Sequence, residues 1–414
     1  GSDVKIDFAR LNYILIPKKK EEIDRFRASL FGRAAAPIVR FIGSFTEEGR
    51  TLAIVAMLVG AFGIDVGRTS VYVLFAALAA LVVGSLAAAR GLTLEGGRVH
   101  ADAPRRITVG ETATFAIACT GLHEPGGALR FRGPFLPWDG TWVERAPVES
   151  AIDDRGAASA KVKARFVQRG VHHLDGFTAA AIAPLGLTCG PRLQSDPVKL
   201  VVVPRVANVV RLPIVLAARH QPGGVALASN RGESRDLLGV RPYRVGDRVR
   251  DLHARSWART GVPVVREYQQ EYFTRVGVVL DTDVRDRDPD SLEAAVELAA
   301  GVVAHLSRGE ALVDILVVGD RVHELTLGRS LGYLDQALDM LATVEPGPPL
   351  RAADVIRRLE PYLERLSSVV VIALGEDGRQ EVERTIAGRG PSCTTLVIDA
   401  ELERAIANKE ALAW

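Results

Sequence analysis

The sequence lacks the short motifs by which many enzymes are recognised. Its 414 residues contain no G-x-x-x-x-G-K-[ST], H-E-x-x-H or G-x-S-x-G run. The first of these runs, G-x-x-x-x-G-K-[ST], is the loop that binds the phosphates of ATP, so we do not expect this chain to hydrolyse ATP. We find no other catalytic constellation and therefore predict a protein that is not an enzyme and has no catalytic residues.

Cysteine is scarce, and neither sign of charge is in large excess. The three cysteines, Cys119, Cys189 and Cys393, lie far apart, are odd in number and form no C-x-x-C pair. This excludes a disulfide framework and fits a reducing compartment. The formal net charge is only +2, so no overall basic field predicts a nucleic-acid partner.

Two long apolar runs are present near the start of the chain. They cover Thr51–Ile64 and Ser70–Ala89. A membrane-spanning helix needs about 20 residues, which the second run supplies, whereas the first is short unless it extends to Gly67. We predict a transmembrane helical hairpin over residues 51–90. The alternative is a buried helical hairpin in a soluble core.

Charge around this hairpin predicts its orientation. Residues 1–50 contain ten Lys and Arg, and the loop between the runs contains one, Arg68. The positive-inside rule therefore places both flanks in the cytoplasm. Abundant Arg and Ala with little Lys favour a bacterium, so the lipid bilayer is the inner (cytoplasmic) membrane. Residues 23–45 predict either a basic amphipathic helix on the inner leaflet, broken near Pro37, or an ordinary packed helix.

Two further domains follow. Residues 91–206 change to a period of two, with Gly, Pro and Asp clusters between short strands, which predicts a β-sandwich. His172 and His173 are adjacent, so they point to opposite faces of a strand and do not predict a shared metal site. Residues 275–414 alternate apolar strands with amphipathic helices, which predicts a doubly wound, mostly parallel α/β sheet.

Between these domains, residues 207–274 hold a dense set of Arg and acidic residues. The candidate motif or docking residues are Arg241, Tyr243, Gly246, Asp247, Arg250, Asp251, His253, Trp257, Arg259 and Glu267. Arg forms planar two-point bonds with carboxylates. The set either holds the two cytoplasmic domains together, which we favour, or presents a docking face to a partner. Acidic residues stand among the basic residues of this run, which argues against a nucleic-acid partner.

This run resembles the hallmark of a bacterial family called domain of unknown function 58. The family pattern is R-x-Y-x-x-G-D-x-x-R-x-I-D-W-x-x-x-A-R, and Arg241, Tyr243, Gly246, Asp247, Arg250, Ala258 and Arg259 match it in register. Leu252-His253-Ala254 departs from its Ile-Asp-Trp, although Trp257 lies nearby. Weaker matches are Arg169-Gly170 with Leu174, Ala183–Leu187 and Val201–Pro204. The resemblance covers about residue 50 to the C-terminus.

The resemblance implies a fold, a partner and a metal question. It implies a von Willebrand factor A-like α/β domain and a MoxR-type AAA+ ATPase as partner, with a protein client that the sequence does not identify. In von Willebrand A domains a D-x-S-x-S run helps to hold a divalent ion. Here Asp281 and Asp283 are present but Arg285 replaces the second Ser, and Glu345–Leu350 lacks the later Thr. We expect no cofactor; the alternative is Mg²⁺ at this degenerate site, with Glu376 or Asp377 as the later acid.

An enzyme remains the competing interpretation. Asp281-x-Asp283 after a buried strand also resembles haloacid-dehalogenase phosphatases, in which the first Asp attacks phosphate. Such enzymes use a later basic residue, usually Lys, and the one Lys after Asp283 is Lys409. We therefore predict a membrane-anchored adaptor or scaffold, with a metal-dependent phosphatase as the alternative.

Overall fold

A computed structural model of the protein has two compact units, Gly1–Val203 and Pro204–Trp414. The sequence placed the end of the β-domain at residue 206 and treated 207–274 as a separate segment; in the structure that segment belongs to the second unit. The structure describes residues 41–62, 69–122, 127–144, 148–214, 219–273, 275–284, 289–309, 311–319, 322–327, 332–348, 351–375 and 379–414. Most of the predicted basic segment, residues 1–50, lies outside these ranges.

The first unit begins with two apolar helices, α1 (Glu47–Phe62) and α2 (Thr69–Arg90). Among the described residues, one helical stretch, Ser70–Arg90, is long and apolar enough to cross a membrane. Helix α1 has 16 residues and is about 24 Å long, less than the roughly 30 Å of a hydrocarbon core. The two helices pack closely, because a Cβ on Gly60 would lie 2.7 Å from the ring of Phe75.

Both helices are joined directly to the β-domain. The backbone N–H and the hydroxyl of Thr46 each donate to the Leu187 carbonyl at 3.0 Å. In α2, the Ser85 carbonyl accepts from the Thr188 hydroxyl at 2.8 Å, and all three polar side chains of Thr46, Ser85 and Thr188 are buried. A Cβ on Gly49 would lie 1.8 Å from the Leu187 oxygen, so this contact requires glycine.

The β-domain is a β-rich region with sandwich-like sheets, which confirms the predicted class at this level. Its first sheet has the order β1-β3-β7-β5 and its second the order β10-β9-β4-β6. A third sheet, β2-β11-β8, contains the parallel pair of β2 and β11. The strands are β1 Arg98–Asp102, β2 Arg106–Thr108, β3 Thr112–Thr120, β4 Ala128–Arg132, β5 Gly140–Trp142, β6 Val148–Ala151, β7 Ala158–Phe166, β8 Gly170–Leu174, β9 Thr178–Ile182, β10 Cys189–Gln194 and β11 Val198–Val203.

Alternation along the strands forms the core of this domain. In β3 and β7 every second residue is buried, as expected for strands with one face on a core. Phe115, Phe166 and Phe177 are fully buried there. His172 is buried with them and shares a hydrogen bond of 2.7 Å with Asp139, while the neighbouring His173 points to the other face and is half-buried.

The second unit is built on a mostly parallel five-stranded sheet of order β17-β16-β15-β18-β19, in which β17 is antiparallel to β16. The strands are β15 Arg275–Asp281, β16 Leu312–Val318, β17 Val322–Leu327, β18 Ser368–Ala373 and β19 Ser392–Val397. The helices that follow them are α4 Pro289–Leu306, α5 Gly332–Ala342, α6 Ala352–Leu363, α7 Arg379–Gly388 and α8 Ala400–Ala407.

Helices cover both faces of this sheet. Side chains of α6 and α7, such as Leu359 and Ile386, pack with Val279 and Val371 in one buried cluster. Helix α4 packs against β15 and β18, and is in contact with α5 and α8.

The end of the chain differs from the sequence prediction. The amphipathic pattern at the end of residues 275–414 predicts a helix over Ala400–Ala413, but α8 ends at Ala407 and Lys409 adopts a φ of 60°. The last residues form β20 (Leu412–Ala413), which pairs in parallel with β12 (Val209–Arg211). The amphipathic pattern does not reveal this pairing, because the partner strand lies about 200 residues earlier.

Candidate protein-binding surface

The arginine-rich run closes a pair of antiparallel strands, β13 (Arg219–Pro242) and β14 (Val264–Phe273). Between their paired ends, Pro242 and Val264, the chain makes a turn, a short 3₁₀ helix at Val249–Asp251 and helix α3 (Ala254–Thr260). Gly261 ends α3 with a φ of 70°, a left-handed conformation that favours glycine. We call the exposed residues from Val240 to Val262 the arginine surface.

A two-point ion pair fixes the turn of this surface. Arg241 donates from Nη1 and Nη2 to the two oxygens of Asp247 at 2.6 and 2.7 Å, and the Arg244 N–H donates to the same carboxylate at 2.7 Å. The bond from Arg241, followed by the one from the Arg244 N–H, lowers the pKa of Asp247 to about 2. Gly246, just before it, has a φ of 106°. The side chains therefore hold a turn that a residue with a Cβ would strain.

Backbone bonds attach the rest of the connection to β14. The Tyr243 N–H donates to Pro263 O and the His253 N–H donates to Val264 O, both at 2.8 Å. Leu252 forms a β-bridge with Val265, which is buried. His253 precedes α3, and its Nδ1 lies 2.7 Å from the Ser256 hydroxyl. This connection is thus an ordered platform within the second unit.

The outward side of the platform is apolar and positively charged. Its exposed apolar and aromatic side chains are Val240, Tyr243, Val245, Val249, Trp257 and Val262. Val245 is fully exposed and Trp257 is 42% exposed. Residues 240–262 contain six Arg and two Asp, which leaves four positive charges in excess.

Most of these arginines face solvent. Arg244, Arg250, Arg255 and Arg259 are exposed, and the Nε of Arg250 lies 3.9 Å from Asp251, a distance typical of a loose pair. Exposed Arg beside Tyr and Trp is the composition found at the energetic centres of protein interfaces. The arrangement is chemically suited to carboxylates on a partner.

The predicted motif residues divide into two groups. Arg241, Gly246 and Asp247 form the turn, and His253 stands before α3. Tyr243, Arg250, Trp257 and Arg259 lie on the outward side, with Asp251 half-buried beside Arg250. Glu267 lies opposite Gly239 in the strand pair, and its side chain is outside the described part. The sequence analysis did not include the exposed valines of this surface. Their signal in the sequence is that they stand between arginines and follow neither a helical nor a strand period.

Asp281 and Asp283 lie where the sequence predicted, at the carboxyl edge of the sheet. Asp281 Oδ1 accepts from the Asp283 N–H at 3.0 Å, and Asp283 is buried and bridges to Gly347. Thr282 donates to Val318 O at 2.8 Å and accepts from the Gly347 N–H at 2.8 Å. These bonds fasten the edge to the neighbouring strand and loop.

Few of the described residues at this edge carry groups that bind metal ions. A cavity of about 370 Å³ opens beside Thr282, and His323 and Glu345 are the His and acidic residues among its described lining. Across the described ranges, no group of three or more His, Cys, Asp or Glu side chains is placed to hold an ion. Arg285, Glu376, Asp377 and Leu350 lie outside those ranges.

Comparisons with known proteins find local likenesses to small domains. No family model matches the chain, and no curated protein matches it. One similar structure is the CARDB domain of a Pyrococcus furiosus protein in complex with di-metal ions, with 15% identity, a TM-score of 0.19, and coverage of 27% of this chain and 93% of that one. Another is the PKD domain of an M14-like peptidase from a Thermoplasmatales archaeon, with 11% identity, a TM-score of 0.15, and coverage of 25% and 92%.

Proposed function

We propose that the protein is a membrane-anchored, non-enzymatic adaptor of the bacterial inner membrane. Its second unit is a von Willebrand factor A-like domain that it presents in the cytoplasm to a MoxR-type AAA+ ATPase and a protein client. The arginine surface binds an acidic face of the ATPase. The ATPase partner is implied by the family resemblance of the Arg241–Arg259 run.

The exposed arginine surface is the observation that supports this proposal most. Four excess positive charges on an ordered platform would attract an acidic protein surface and speed its association. The exposed Tyr243 and Trp257 would supply apolar contact at the centre of such an interface. Arg241 keeps the turn in shape through Asp247, so charge and shape are present before a partner arrives.

The anchor and the sheet also support it. Ser70–Arg90 is long and apolar enough to span a bilayer. In the second unit the first strand, β15, lies between β16 and β18, which gives the order 3-2-1-4-5 counted from β15. This order is typical of doubly wound α/β domains, the class to which von Willebrand factor A-like domains belong.

The test is direct binding of the full-length protein in nanodiscs to the purified MoxR-type ATPase of the same bacterium. We expect saturable binding that weakens as salt is raised. Arg250→Glu/Arg259→Glu should weaken it about tenfold, because two attractive exposed pairs become repulsive, for about 1.4 kcal/mol in total. The control is Arg384→Glu/Arg404→Glu, which reverses two exposed arginines on α7 and α8 of the same unit.

Three results would contradict the proposal. One is no binding by a folded protein, and another is equal loss in the docking and control variants. The third is hydrolysis of p-nitrophenyl phosphate with Mg²⁺ that disappears in Asp281→Asn, which would favour the phosphatase alternative.

A further inference from the structure

Four arginines line one cavity in the first unit, at the N-terminal end of α1. The cavity has a volume of about 160 Å³ and is lined by Arg50, Arg130, Arg132 and Arg192, several times the roughly 30 Å³ of a water molecule. Arg50 comes from the first turn of α1, Arg130 and Arg132 from β4, and Arg192 from β10. The fold thus brings together residues up to 142 positions apart in sequence.

The charge of this arginine cavity is poorly balanced by the protein. Glu47 lines it, Glu149 stays 3.9 Å from Arg130 Nη1, beyond hydrogen-bond distance, and the nearby Glu48 has its pKa lowered first by a backbone hydrogen bond and further by Thr46 and Arg130. Four guanidinium groups therefore stand against three carboxylates, none of which makes a close ion pair with them in the described part of the chain. Burial, followed by repulsion from Arg192, Arg50 and Arg130, lowers the pKa of Arg132. Cys189 also lines the cavity, but burial raises the pKa of its thiol, so it adds no negative charge at neutral pH.

Hydrogen-bond donors in the cavity are also left without acceptors. Arg50 Nε and Arg130 Nη1 are shielded from solvent and have no hydrogen-bond partner among the described residues. Arg192 donates to the carbonyl of Gly43. Burying charged donors without acceptors is costly, so an anion in the cavity would stabilise them.

The surroundings of the cavity fit a membrane surface. Phe135 is 64% exposed, and the Arg132 guanidinium lies 5.6 Å from its ring centroid. Leu185, 71% exposed with a φ of 75°, projects from the turn that contacts α2. Phe41 and Ile42, next to the cavity residue Gly43, are exposed as well. Exposed apolar side chains around a basic site are typical of proteins that insert into the headgroup region.

We propose that the arginine cavity binds a phosphate group, held by two-point bonds from arginine guanidinium groups. The group is either the headgroup phosphate of an anionic phospholipid in the adjoining leaflet or free inorganic phosphate. Bound there, it joins α1 to strands β4 and β10 by neutralising the charges that they bring together. This inference does not depend on the AAA+ partner.

The test compares Arg132→Gln/Arg192→Gln with Arg155→Gln/Arg165→Gln, a control at exposed arginines of the same β-domain, all in full-length protein. Native mass spectrometry counts phosphatidylglycerol retained from nanodiscs of phosphatidylcholine with 20% phosphatidylglycerol. Thermal unfolding in a neutral detergent, with and without sodium phosphate, measures the response to the free ion. Both measurements are made on each variant.

We expect the wild type and the control to retain the lipid or to gain thermal stability with phosphate, and the cavity variant to show a response at least tenfold weaker. Retention of phosphatidylglycerol without a phosphate effect identifies the lipid as the source, and stabilisation by phosphate alone identifies the ion. The cavity variant should remain folded without any anion, because the repulsion that it removes offsets the lost bond from Arg192 to the Gly43 carbonyl. An equal response in cavity and control variants, or none in the wild type, would overturn the inference.

Discussion

Replacing the buried carboxylate of Asp314 should strongly destabilise the second unit. Asp314 is fully buried in β16, where Arg275 donates to its two oxygens from Nε at 2.7 Å and Nη2 at 3.0 Å. Arg365 Nε lies 3.5 Å from the same carboxylate and also pairs with Glu324. Asp314→Asn keeps the shape of the side chain but leaves the two cations without this buried charge.

The burial of Asp314 and the partial exposure of Glu324 determine how much each substitution lowers the free energy of unfolding. Removing one member of a buried ion pair costs about 3–5 kcal/mol, whereas a partly exposed pair contributes at most about 1 kcal/mol. Glu324 is 29% exposed and Arg365 is 34% exposed, so Glu324→Gln is the matched control. At a urea dependence of roughly 3 kcal/mol per M, Asp314→Asn should lower the unfolding midpoint by about 1–2 M, and the control by about 0.3 M or less.

Hydrogen exchange in increasing urea, read by mass spectrometry on peptides that contain β15 and β16, measures this unit separately from the other. The full-length protein in detergent micelles is used throughout. If both variants shifted the midpoint by the same amount, the argument that burial sets the effect would be refuted. A shift in the β3 and β7 peptides of equal size would refute its assignment to the α/β sheet.

Three further predictions concern single side chains. Asp139→Ala should lower the free energy of unfolding of the β-domain by at least about 1–3 kcal/mol, because it removes the buried partner of His172. In the same exchange assay Asp139→Asn should lower this free energy by less. A larger loss for Asp139→Asn than for Asp139→Ala would contradict the prediction. The pKa of Asp247, lowered to about 2 from 3.8, means that its carboxylate stabilises the turn above about pH 4 and that this contribution is lost as pH falls through about 2. A carbon-13 NMR titration should therefore give a midpoint near 2 and a higher one in Arg241→Gln, and a wild-type midpoint near 3.8 would refute the pairing. Burial, followed by Glu383, raises the pKa of Cys393 to about 12, so iodoacetamide at pH 8 should modify it far more slowly in the folded protein than in urea, and equal rates would contradict the burial.

Much of the architecture follows from local pattern. The continuous apolar runs that become β15 and β18 predict strands buried on both faces, and the structure buries both. The alternation in β3 and the apolar run of α2 are equally legible in the sequence. These elements are predictable because burial dictates residue type at each position.

The sites are less predictable, because they depend on distant contacts and on exposure. In the arginine-rich run acidic residues stand among the arginines, so the pattern favoured a segment that holds the two cytoplasmic domains together over a docking face. In the structure Asp247 forms an ion pair with Arg241, and the exposed arginines are Arg244, Arg250, Arg255 and Arg259. The arginine cavity was not foreseen at all, since no local pattern connects Arg50 with Arg192.

The seam between the helices and the β-domain has a mechanical consequence. Thr46 and Ser85 bind the same short loop, at Leu187 and Thr188, and Gly49 lets α1 touch it directly. Because these hydrogen bonds are short and their side chains are buried, we expect force applied to the β-domain to reach α1 and α2 through them. Tension or rotation applied to that domain would therefore change the tilt of both helices.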